Sequence, residues 1–110
     1  LKEGDSATSV ATENNVVPKN FSLHQNYPNP FNPTTTIEFS LPKEEMVTLE
    51  IFNLLGEKIG TLIQGFQPPG PQKVVWNGKN DAGRDMPSGI YLCRIKTNSF
   101  NKTMKMVLSK

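Results

Sequence analysis

Residues 26–42 read "NYPNPFNPTTTIEFSLP", and this stretch decides the fold because it welds two textures together. Its first half sets three prolines and three asparagines around Tyr27 and Phe31. Its second half alternates as a half-buried strand does, with Ile37, Phe39 and Leu41 on one side and Thr36, Glu38 and Ser40 on the other. Proline fixes φ near −65° and removes a hydrogen-bond donor, so Pro28, Pro30 and Pro33 exclude a helix and set a rigid crossing ahead of that strand. The expectation is that Tyr27 and Phe31 cover an open end of the core while the three asparagines satisfy turn amides and carbonyls. The block would then also shield the first strand from presenting a bare edge.

The same alternation recurs on both sides. Phe21 and Leu23 mark a first strand, and Val47, Leu49 and Ile51 a third. A turn at Gly56–Glu57 leads into a fourth. "QGFQPPGPQ" carries three prolines and two glycines in nine residues and reads as a loop. "KVVW" is a fifth strand ending on Trp76, the only tryptophan and the expected plug of the core. The long turn after it holds Gly78 and Gly83, both suited to positive φ. "IYLCRIKT" then puts Tyr91, Cys93 and Ile95 on one face, and "NKTMKMVLS" groups Met104, Met106 and Leu108. Seven short strands, with turn signals between them and no four-turn helix, predict an all-β, immunoglobulin-like antiparallel β-sandwich. Residues 1–18 are polar, lack a sustained period and read as a linker from an upstream domain, leaving 19–110 as the sandwich. The chain opens on Leu1 rather than methionine, so an export signal is expected upstream of it.

Chemistry is sparse. The 110 residues hold one histidine, His24, and one cysteine, so neither a Ser-His-Asp nor a Cys-His arrangement can be completed, and no metal-ligand spacing or cofactor-binding pattern occurs. Glu44 and Glu45 adjoin a turn and read as a solvated corner. Asn77, Asn80, Asp81 and Asp85 could offer oxygens to calcium, but turn residues bonding their own backbone explain them better. The formal charge of +2 hides an asymmetry. Residues 70–110 carry eight basic side chains against Asp81 and Asp85 alone. Those cations are dispersed along strands, which indicates a solvated face rather than a nucleic-acid partner. No apolar run reaches the ~18 residues of a transmembrane helix. Tyr27, Phe31 and Phe66 are the candidates for a carbohydrate platform, a function set beside that of a spacer or interaction module.

Four blocks in order, "LHQNYPNPFNPTTTIEFSLP", "VTLEIFNLLGEKIGTL", "VVWNGKNDAGRDMPSGIYLCRI" and "KMVLSK", give the chain a family likeness over about residues 20 to 110. It resembles the C-terminal sorting domains of type IX secretion (the Por secretion system) in Bacteroidota. The second half also resembles the immunoglobulin-like insert of the flagellar hook-capping protein. Matched residue by residue, the aromatic-proline block falls on Tyr27, Pro28, Asn29, Pro30, Phe31, Asn32 and Pro33. The "GIY" strand falls on Gly89, Ile90 and Tyr91. The terminal signal falls on Lys105, Met106, Val107, Leu108, Ser109 and Lys110. One departure is Cys93, where members often carry an aromatic.

The resemblance implies a non-catalytic domain that takes a fused cargo through the periplasm and across the outer membrane, to the cell surface or medium. The implied partners are the translocon, shuttle and sortase proteins. "DSA" at residues 5–7 resembles an O-glycosylation site of the same bacteria. The terminal strand is expected to be unobstructed and to be read by strand addition or by an end-on pocket.

Overall fold

Burial alternates residue by residue along the central strands, and that period of two builds the molecule. A computed structural model describes residues 20–110, so the expected linker and the "DSA" triplet lie outside the described residues. Seven strands follow in order: β1 (Ser22–Leu23), β2 (Thr35–Leu41), β3 (Glu45–Asn53), β4 (Lys58–Gln67), β5 (Gly70–Trp76), β6 (Gly89–Lys96) and β7 (Asn101–Leu108). They form two antiparallel sheets, β1-β2-β5 and β4-β3-β6-β7. Strands leave one sheet for the other between β2 and β3, β4 and β5, and β5 and β6, as in an immunoglobulin-like sandwich.

The core lies between the sheets. Ile37, Phe39 and Leu41 face Val47, Leu49, Ile51, Cys93, Ile95, Met106 and Leu108 across it, all almost fully buried. Trp76 plugs one end, with Tyr91 edge-on at a centroid distance of 5.3 Å. Its indole N–H donates to Lys79 O at 2.9 Å. Tyr91, two residues before Cys93, donates its OH to Pro87 O at 2.6 Å, four residues upstream. That is the tyrosine corner of immunoglobulin-like folds, here without the inter-sheet disulfide.

One expectation about this region is corrected. "QGFQPPGPQ" is not a loop throughout, since β4 runs to Gln67 and β5 starts at Gly70, leaving Pro68 and Pro69 between them. Among the described residues β4 and β5 are edge strands, each paired on one side only. An edge tolerates Pro71 opposite Ser40 because the missing donor costs no ladder bond there.

Candidate functional site

The 26–33 block does something the sequence does not reveal: it covers the edge of the last strand. β7 pairs with β6 on one side, so its other side would carry unpaired N–H and C=O groups. In an extended strand these outward groups belong to alternate residues, here Lys105, Val107 and Ser109. Gln25 Nε2 donates to Lys105 O at 2.9 Å. Val107 N donates to Asn29 Oδ1 at 2.9 Å, and Phe31 N donates to Val107 O at 3.0 Å. Ser109 N then donates to Phe31 O at 2.9 Å, which closes a short parallel bridge between Phe31 and Leu108. The terminal edge is therefore strapped from 105 to 109, and an added strand could not pair there without displacing the strap. The expectation of an unobstructed terminal strand fails on this point.

The strap is anchored at both ends of its length. Phe31 is 2% exposed and lies against Trp76 at 5.6 Å between centroids. Asn26, also buried, donates to Thr35 Oγ1 at 2.9 Å and to Pro28 O at 3.2 Å. Thr35 Oγ1 donates to Pro28 O at 2.8 Å. A backbone pair links Tyr27 to Thr36, both bonds at 2.9 Å. Tyr27 itself is 78% exposed, so the expected cover over the core comes from Phe31 alone. Pro28, Pro30, Asn32 and Pro33 are all exposed along the bends. The edge being shielded is that of β7, not that of the first strand.

Along β7 itself, Met104, Met106 and Leu108 point into the core, whereas Lys105, Ser109 and Lys110 are exposed and Val107 is half-buried. Lys110 N donates to Ser88 Oγ at 2.9 Å, so even the final residue is tied to the turn before β6. Gly89 begins β6 opposite Leu108.

The other candidate groups are placed as follows. Asn77 Oδ1 accepts from Lys79 N, and Asn80 Oδ1 accepts from Ala82 N and Arg84 N. Asp81 Oδ1 accepts from Thr61 N, and Asp85 binds Lys79 Nζ at 2.7 Å, which with Lys110 nearby lowers its pKa. The oxygens that might have held calcium are thus engaged by the protein's own donors. Gly78 and Gly83 take φ of 76° and 83°, as the turn chemistry requires. Cys93 is buried, and burial pushes its pKa up to about 12, which leaves an inert thiol.

Glu45 is not a solvated corner. Strand parity puts it in the inward row with Val47, Leu49 and Ile51; it is 3% exposed, and among the described residues neither carboxylate oxygen has a hydrogen-bond partner. The aromatics proposed for sugar do not share a face. Phe31 is buried, Tyr27 bridges to β2 of the smaller sheet, and Phe66 lies on the larger sheet opposite Met46. A groove of about 370 Å³ does open over β3 and β6, lined by Met46, Thr48, Glu50, Arg94, Lys96, Thr97 and Asn98. Its Arg94 is occupied by Glu50 at 3.1 Å and by the Phe52 ring, whose centroid lies 4.6 Å away.

The strapped terminal strand is the built feature of this domain, and among the described residues no group of three or more His, Cys, Asp or Glu could hold a metal. The sequence profile of the secretion system C-terminal sorting domain matches residues 25–109, from the strap to the residue it binds last. The chain belongs to that family. Sorting domains of this family are signals of type IX secretion, non-catalytic in themselves, and they direct the protein that carries them across the outer membrane, to the cell surface or the medium. Solved structures share the fold. Dimeric latent PorU from Porphyromonas gingivalis is 18% identical over 84% of this chain and 10% of its own, with a TM-score of 0.64. PorZ from the same organism, an essential surface component of the type IX secretion system, is 19% identical over 91% of this chain and 12% of its own, at 0.53. FlgD from P. aeruginosa is 25% identical over 67% of this chain and 58% of its own, at 0.54. The sorting domain thus spans about a tenth of the two Porphyromonas chains. No curated protein matches it in sequence. Among the described residues no helix is long and apolar enough to cross a membrane.

Proposed function

We propose that the export machinery recognises the sorting domain through the outward side chains at the end of β7, namely Lys105, Val107, Ser109 and Lys110. Met106 and Leu108, buried beneath them, fix the register. The observation that supports this is the strap. Because Gln25, Asn29 and Phe31 already occupy the backbone of residues 105–109, side chains are what the folded domain displays there. A receptor-read address needs a displayed surface and no lipid affinity of its own. The partners in this reading are translocon, shuttle and sortase proteins of type IX secretion, acting on a cargo upstream of residue 20. The domain contributes no catalysis, and the whole protein's activity is that of its cargo.

The test is a Sec-targeted fluorescent reporter fused ahead of residues 1–110 in a host with and without the type IX translocon. Deleting 105–110 would remove two core side chains together with the signal. The sharper variant is Lys105→Glu with Lys110→Glu, which changes only exposed positions. Reporter held in the periplasm, with an unchanged melting temperature for the purified domain, is the expected result. Surface display equal to wild type would overturn the assignment.

A further inference from the structure

The hairpin between β3 and β4 is built to hold two leucines in water. Asn53 is its clamp: Oδ1 accepts from Leu55 N and Glu57 N, both at 3.0 Å, and Nδ2 donates to Glu57 Oε1 at 2.7 Å. The backbone closes the same loop, Gly56 N donating to Asn53 O and Asn53 N to Glu57 O, both at 3.0 Å. Yet Leu54 is 62% exposed and Leu55 is 85% exposed. The turn needs its asparagine and its glycine, but nothing in its geometry asks for leucine at the two positions between them. An exposed pair on so rigid a loop is an anchor whose ordering cost has been met before any partner arrives.

Strand register carries that tip to the terminal strand. Asn53 lies opposite Tyr91 on β6, and Tyr91 opposite Met106 on β7. The leucines therefore run off the same end of the larger sheet as Val107 to Lys110, two strand spacings away, or about 10 Å. On the outer face at that end Ile90, 37% exposed, sits opposite Val107. Cations border these apolar groups: Lys105 lies opposite Leu92, and Lys58, opposite Phe52, also bridges Glu50 at 3.7 Å. Among the described residues no carboxylate lies within ion-pair distance of Lys105.

We infer that the leucine tip and the displayed side of β7 form one composite docking surface, whose partner is a protein offering an apolar hollow with a carboxylate rim. This rests on the reading of β7 given above and adds a second anchor from the middle of the chain. An apolar centre within a charged border is the anatomy of a protein–protein hot spot. Basic border groups select an acidic rim and steer the approach. Two leucines are too small an apolar payload to hold a domain on lipid, so a protein is the occupant.

The experiment uses the same reporter fusion carrying Leu54→Ser with Leu55→Ser, beside the Lys105→Glu/Lys110→Glu variant. The leucine variant should melt with the wild type, because neither side chain is buried. Its surface signal should fall about tenfold or more, with reporter accumulating in the periplasm. Should the double variant lose its fold, Leu55→Ser alone decides by the same readout, at the most exposed position. Wild-type display of the leucine variant, while the lysine variant stays in the periplasm, would remove the tip and leave the terminal strand standing. Wild-type display of both would overturn the reading beneath as well. Cosedimentation of the purified domain with phosphatidylglycerol-containing vesicles, abolished by the leucine changes, would overturn the protein partner in favour of lipid.

Discussion

Residues 26–33 and residues 77–88 are both irregular, and both draw on asparagine, proline and glycine, but they spend their hydrogen bonds in opposite directions. In 77–88 the asparagine side chains bond backbone two to four residues away and shape the turn locally, while only Asp81 and Ser88, among the described residues, bond residues far along the chain. In 26–33 and the residue before it, Gln25 and Asn29 reach partners 80 and 78 positions along the chain. The first pattern builds a turn and the second completes a sheet edge. The two segments come close at Gly78, where an added Cβ would stand 2.9 Å from Pro33 O. Similar local composition therefore says little about whether a loop is self-contained or structural for something distant.

That contrast can be broken most forcefully at Phe31. Phe31→Ala empties a buried ring site beside Trp76 and should cost about 3–5 kcal/mol in urea unfolding. The Cys93 thiol should become open to alkylation in step, because only unfolding exposes it. A much smaller loss would mean the strap is dispensable. Next in size is Gly78→Ala, which combines left-handed strain with the clash against Pro33 and should cost roughly 2–4 kcal/mol. Gly83→Ala, with φ of 83° and no atom of the described residues within 4 Å of the added Cβ, should show only the strain, about 1–2 kcal/mol. Equal melting shifts for the two glycines would show that the segments do not press on each other.

Asn29→Ala comes third. It leaves the Val107 amide to water at an exposed edge, so about 1 kcal/mol is expected, with faster hydrogen exchange at Val107. Unchanged exchange there would argue against the strap in solution. Smallest is Tyr27→Ala, which at 78% exposure should stay within about 0.5 kcal/mol of wild type. A larger drop would restore a covering role to that ring.

The sandwich was legible in the sequence because period-two burial is a local signal. Ile37, Phe39 and Leu41 announce a buried face whatever they pack against, and so do Tyr91, Cys93 and Ile95. Positive φ at Gly78 and Gly83 was equally local. The strap was not legible. Asn29 and Gln25 look like any polar turn residues until β7 arrives beside them, and nothing near them in the chain names that partner. Glu45 departs from expectation for a related reason: a charged residue next to Lys43 and Glu44 suggests a corner, while strand parity, which decides burial, depends on where β3 begins. Pro71 suggested a loop because its tolerance depends on β5 being an edge, a property of topology. The candidate surface mixes both kinds. The alternation of Lys105 with Met104 and Met106 could be read directly, whereas the nearness of Leu54 and Leu55 needed the pairing of three strands.

The strap and β7 run side by side in the same direction, bonded at 25, 29 and 31 to 105, 107 and 109. Suppose a cargo is hauled from ahead of residue 20 while the tail is gripped at residue 110. Past the two-residue β1, the pull then drags these neighbours lengthwise against each other. The four bonds share such a load at once instead of parting in succession, so the seam resists traction best along the line in which a tethered passenger would be towed.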